Sequence, residues 1–211
     1  MAANTATPQC ATVLHGVAGM SFLILGLVLF LGAHSVRVFA EGWRGGVRAR
    51  LGENAYKGLY TVVSLTGLVL IVLGYSAARQ QPVLLWLPPI WTRHLAALLT
   101  VPAFILLVAA YVPGNSIKAK VHHPMVLGVK VWALAHLLAN GSLADLLLFG
   151  GFLLWAVFCF RAARQRDRVG SVVYPPGRLG PTLVAVAVGL ALWAGFAFWA
   201  HAALIGVRPF G

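Results

Sequence analysis

Acidic residues are nearly missing from this chain, which has four Asp and Glu among 211 residues. Charge of either sign is scarce too, at 9%, where a soluble globular domain carries about 25%. That scarcity excludes an ordinary soluble enzyme. With 60% apolar residues, a disordered chain is excluded as well. Two cysteines, Cys10 and Cys159, make no disulfide framework, no CxxC and no CxxCH, so covalent c-type haem attachment is ruled out. No Walker motif, GxSxG or HExxH occurs. No carboxylate pair lies within an apolar run, which argues against a proton pump or a carboxylate-based transporter. No repeat or low-complexity stretch stands out.

What the chain has is long apolar runs with basic residues between them. No Lys, Arg, Asp or Glu precedes Arg37, so a first span falls within residues 12–39. It has neither a basic leading region nor a clear small-residue cleavage site, and is read as retained rather than as a signal peptide. Residues 58–78, 94–117 and 179–207 are uncharged over 21, 24 and 29 positions. About 20 residues cross a ~30 Å hydrocarbon core. Two shorter runs, 124–139 and 146–160, flank a turn at Asn140, Gly141 and Ser142. Asp145 follows, where it suits a helix N-terminus. The expected fold is all-α: a polytopic integral membrane helix bundle of about six transmembrane helices. Its expected domains are a five-helix membrane domain over 1–168, then a linker and C-terminal transmembrane helix over 169–211. Residues 38–57 and 161–180 read as its longest loops. Gly19 and Gly26 suggest a close helix contact.

The net charge of +12 would suit nucleic acid, but these basic residues flank spans and imply no nucleic-acid partner. The partner they imply is a lipid bilayer. Arg37, Arg44, Arg48, Arg50, Lys57, Lys118, Lys120, Arg161, Arg164, Arg166, Arg168 and Arg178 fall on one side. Only Arg79, Arg93 and Arg208 fall on the other, with Lys130 inside a span. Basic residues stay on the cytoplasmic side, so both termini should face away from the cytoplasm.

Seven histidines carry the chemical interest. An intramembrane ionisable residue is a functional hypothesis by default, and neutral imidazole is a common metal and haem-iron ligand. A lone histidine in a bundle is also often only a hydrogen-bond partner between helices. His34 shares a helix face with Phe30 and Arg37, and Arg37 is placed to neutralise a haem propionate. Trp132, His136 and Asn140 recur every four residues and form one stripe. His122-His123-Pro124 opens a span with a start signal, at a helix end that suits an anion. Lys130 lies two turns inside, able to snorkel or to pair with an acidic ligand group. His94 follows Arg93 at the start of a span. His15 and His201 lie in the first and last spans without a companion motif. By residue rise, His34 is ~8 Å and His136 ~18 Å from the inner boundary. On depth alone His34 pairs with His122 or His123, and His136 with His94.

Several strings make a family recognisable. They are GLVLFLGAHSVR (26–37), YKGLYTVVS (56–64), Arg93-His94-Leu95, AAYVPG (109–114) and HPMVLGVKVWALAHLLANGSLAD (123–145). Over about residues 19–168 the chain resembles the NnrU family of bacterial membrane proteins. That resemblance implies the inner membrane of a bacterium, where the charge asymmetry puts both termini in the periplasm, and a role near nitrite and nitric oxide reduction in denitrifiers. The NnrU family is similar in turn to the zeta-carotene isomerase family, membrane haem b proteins that isomerise a cis double bond. Their Ala-His-Ser histidine matches His34, and their Trp-Cys-Leu-Ala-His histidine matches His136. The resemblance therefore implies haem b with His34 and His136 as iron ligands, His123 and His94 as alternatives, and Arg37 and Lys130 as cofactor contacts. Ala133 stands where the isomerases have Cys, so that thiolate is missing. A weaker similarity links His-Pro at 123–124 to the Arg-His-Pro motif of membrane isoprenylcysteine and phospholipid methyltransferases, with His122 in place of Arg. Three functions are implied: a haem protein serving a nitric oxide or nitrite reductase system, a cofactor-free assembly partner of a nitric oxide reductase, or a haem-dependent cis-trans isomerase of a carotenoid-like polyene.

Overall fold

The computed structural model describes residues 7–210, and side chains from residue 17 onward. His15 and Cys10 lie outside the described side chains. The regular elements among the described residues are all helices, with no strand. The helices are α1 (Thr7–Phe39), α2 (Glu41–Leu51), α3 (Glu53–Ala78), α4 (Trp91–Tyr111), α5 (Ser116–Val121), α6 (Pro124–Ala139), α7 (Leu143–Val169), α8 (Leu179–Gly195) and α9 (His201–Ile205). A π-helical turn, Phe196–Ala200, joins the last two. Five stretches are long and apolar enough to cross a bilayer: Val17–Phe39, α3, α4, α7 and Leu179–Ile205. α6 is apolar but has 16 residues, short of the ~20 a crossing takes. The chain is an all-α, multi-pass membrane protein.

Two compact units make up the chain. One runs up to Trp86 and adds Gly141–Gly151; the other is Leu87–Asn140 with 152 onward. In the first unit α1 and α3 run antiparallel in close contact. A Cβ added at Gly26 would lie 2.6 Å from the Ile71 nitrogen and 2.8 Å from the Gly67 oxygen. One added at Gly67 would lie 2.7 Å from the Phe30 nitrogen. Small residues thus let the backbones approach, as Gly19 and Gly26 suggested. Leu23 is fully buried in the seam. The start of α7 is tied to the segment after α3. Leu85 N–H donates to Gly141 O at 2.8 Å and Leu143 N–H to Val83 O at 2.8 Å.

Asp145 accounts for the α7 N-terminus. Its Oδ2 accepts from Ser142 N–H at 3.0 Å and from the Ser142 hydroxyl at 2.6 Å, while Asp145 N–H donates to Ser142 Oγ at 3.2 Å. This is a capping box with Ser142 as the cap. Its Oδ1 accepts the Tyr75 hydroxyl at 2.5 Å, joining α3 to the cap. The carboxylate is buried and both oxygens are engaged.

In the second unit α4 packs against α6 and α8. A Cβ at Gly128 would lie 3.0 Å from Ala103 O, and one at Gly189 2.7 Å from Ile105 Cα. The Trp193 indole donates to Thr100 Oγ1 at 3.0 Å. Buried Asn115 caps α5: its Oδ1 accepts Lys118 N–H at 2.8 Å, and its Nδ2 donates to Ala109 O at 2.8 Å. The segment before α8 is anchored here by Arg178 N–H to Gly114 O, at 2.8 Å.

Three boundaries differ from the sequence reading. The run 94–117 is broken at Tyr111, because Pro113 disfavours helix at the residue before it and Gly114 turns at φ +70°. Residues 38–57 are not a loop but mostly α2, with short breaks at Ala40 and Gly52. Residues 161–169 continue α7 rather than opening a loop. Their Arg, Ala and Gln are good helix formers, and an apolar criterion stops too early.

Candidate functional site

His34 and His136, the two histidines singled out by resemblance, share one local geometry. His34 Nδ1 lies 2.7 Å from Phe30 O. His136 Nδ1 lies 2.9 Å from Trp132 O. A carbonyl only accepts, so each Nδ1 carries the hydrogen. In a neutral ring with that hydrogen on Nδ1, the lone pair is on Nε2. That is the tautomer of an Nε2 metal ligand, with the second nitrogen fixed by a backbone carbonyl. Both rings are half-buried among aromatics. Phe30 stands 4.3 Å and Tyr60 5.3 Å from His34, centroid to centroid. Trp132 stands 5.1 Å from His136. The expected stripe on α6 is present, and Asn140 Nδ2 donates to His136 O at 2.8 Å.

The structure places His34 in the first unit and His136 in the second. Arg37 is exposed one turn beyond His34. Lys130 Nζ sits over the Phe160 ring, 4.9 Å from its centroid, which fits a lysine whose stem follows the helix. His94 is exposed on the first turn of α4. His201 Nδ1 donates to Val207 O at 2.7 Å. Ala133 is fully buried in α6.

A third group of side chains gathers where α6 begins and α7 ends. His123 Nε2 donates to Asp167 Oδ2 at 2.8 Å. The Tyr174 hydroxyl donates to the same oxygen at 3.2 Å. His122 stacks on Tyr174 with ring centres 3.9 Å apart, and its Nδ1 accepts from Arg164. Burial first, then the bond to Asp167, raises the Tyr174 phenol above its ordinary pKa. His122 has φ +66° and ψ −48°, and His123 N–H closes onto Val121 O at 2.8 Å. This is a γ-turn of the rarer, strained hand. The turn aims two adjacent rings at α7 just before Pro124 starts α6 as its first residue. Sequence reasoning found the two histidines and missed Arg164, Asp167 and Tyr174. The helix-forming composition of 161–169 signalled that Arg164 and Asp167 continue α7, but nothing local pointed to their partners or to Tyr174. These bonds make the group a hydrogen-bonded clasp; among the described residues no three His, Cys, Asp or Glu are arranged to hold a metal ion.

The family model described as NnrU protein matches residues 22–209. That match extends through the last helix, past the stretch on which the sequence resemblance rested. No curated protein and no solved structure matches the chain.

Proposed function

The chain belongs to the NnrU family, and from that premise we propose that it is a membrane haem b protein serving nitrite and nitric oxide reduction, with His34 and His136 as the iron ligands. The observation that carries this reading is the tautomer the two histidines share. Each gives its Nδ1 hydrogen to the carbonyl four residues back, which orients the ring and leaves Nε2 basic. When bound, haem b would supply electron transfer, or nitric oxide binding where one imidazole gives way. Phe30, Tyr60 and Trp132 wall the two rings with apolar surface. Arg37 and Lys130 are the cations for the propionate carboxylates. Family membership and the uneven distribution of basic residues support a bacterial inner-membrane location with both termini periplasmic, α6 then crossing as a short sixth span beside the five longer ones.

An optical spectrum of the detergent-purified protein, oxidised and reduced, with a pyridine haemochrome assay, tests the proposal. The protein is expressed with ample haem supply. Near-stoichiometric haem b is expected, lost or turned high-spin in both His34→Ala and His136→Ala. An unchanged spectrum in either variant removes that ligand and moves the test to His123 and His94. A colourless wild type overturns the haem reading and leaves the cofactor-free assembly partner, to be sought by cross-linking to a reductase.

A further inference from the structure

Helix α2 presents a surface that neither the helix packing nor the haem reading uses. Trp43, Val47 and Leu51 recur every four residues and form one stripe. Trp43 is 62% and Leu51 51% exposed, and no residue of α2 is buried. Arginines border the stripe. Arg44 pairs with Glu41 at 2.5 Å, and Arg48 with Glu53 at 3.2 Å. Arg50 has no ion pair among the described residues. With Arg37 and Lys57, the segment 37–57 holds five basic side chains against two carboxylates.

The α1–α3 register sets the depth and direction of α2. Gly19 meets Ala77 and Ala78, Gly26 meets Ile71, and Gly67 meets Phe30. Continued, this antiparallel register puts Ala40 level with about Lys57. α3 starts four residues further out at Glu53, or ~6 Å at the helical rise. α2 has 11 residues and is ~16 Å long by the same rise. It therefore descends only ~6 Å over its length and runs mostly across the span axes. The joints allow this. Ala40 leaves helical geometry at φ −141°. Gly52 turns at φ +79° and ψ 161°, a conformation almost confined to glycine. The uncharged run of α3 begins at Gly58, and the polar layer beyond the hydrocarbon is about 5–8 Å thick. The ~6 Å descent of α2 matches the thickness of that layer.

We propose that α2 is an interfacial helix that binds anionic phospholipid headgroups, with Trp43, Val47 and Leu51 set into the bilayer surface and Arg44, Arg48 and Arg50 on the phosphates. A short helix with a Trp-bearing apolar face and flanking arginines binds such a surface by apolar area and charge together. This proposal is independent of the haem reading.

The test uses the full chain in nanodiscs of phosphatidylcholine with a minor share of phosphatidylglycerol. Native mass spectrometry counts retained lipids. The environment of Trp43 is read by fluorine NMR of 5-fluorotryptophan protein, its signal assigned with Trp43→Phe. Wild type should retain phosphatidylglycerol over phosphatidylcholine, and high salt should erase the preference. Arg50→Gln, which breaks no ion pair, should lower the preference up to about fivefold. Arg44→Gln, Arg48→Gln and Arg50→Gln together should abolish it. The Trp43 signal should be shielded from a water-soluble paramagnet. Equal retention of phosphatidylglycerol in wild type and both Arg variants overturns the proposal. So does a Trp43 signal fully open to the paramagnet. Shielding seen only in discs with two copies would make the face a protein contact and likewise overturn it.

Discussion

Tyr174 joins the two histidines ahead of α6 to the far end of α7, through a stack on His122 and a hydrogen bond to Asp167. Its folded pKa lies above the ordinary phenol value, which is ~10. The associated stability is fully present below that ordinary value and is lost as pH rises through the raised one. Thermal unfolding in detergent from neutral to strongly alkaline pH should therefore show a steeper alkaline decline for wild type than for Tyr174→Phe. Parallel curves would remove the phenol from the clasp. Asp145 makes a second residue-scale prediction. Removing its carboxylate leaves the Tyr75 hydroxyl and the Ser142 amide without their acceptor in a buried place. Asp145→Ala should cost about 3 kcal/mol, combining a lost cap with an unsatisfied donor. Tyr75→Phe should cost less, because both Ser142 bonds remain. Equal losses in the two variants, measured by denaturant unfolding, would contradict this.

Among the elements, α1 and α3 rest on glycines that admit no larger residue. Gly26→Leu places side-chain atoms where the Ile71 and Gly67 backbones already lie. It should destabilise by roughly 1–3 kcal/mol or more. A Cβ at Gly45 of α2 meets nothing within 4 Å, so Gly45→Ala should be neutral or stabilise by up to ~1 kcal/mol through helix propensity. Comparable losses in both would show that the seam is not the cause. How far these elements were legible depends on what ends them. α6 was read residue for residue, because Pro124 and Asn140 bound an apolar run. α7 was read nine residues short at its C-terminus, because its last turns are held by helix propensity and by the Asp167 clasp, which hydropathy does not register. α2 was invisible as a helix for a different reason. Its three glycines and three arginines resemble a loop, and its apolar stripe is only three residues long.

At the scale of the whole chain, the apolar runs and the one-sided basic residues were enough to give a multi-pass helical membrane protein. The candidate site was legible only where one residue and its own helix define it, as with His34 and His136 and the carbonyls four positions back. Asp167 and Tyr174 were not, because their meaning depends on a contact made across more than forty residues. The same non-locality governs how the molecule is made. The first unit is completed by Gly141–Gly151, which brings the Asp145 acceptor for Tyr75. On a ribosome that stretch emerges only after α4, α5 and α6. The earliest-made spans must therefore wait in the membrane, with a hydroxyl lacking its acceptor, while over fifty residues of the other unit are inserted. Assembly is nested rather than sequential, and a chain stopped just before Gly141 would strand both units at once.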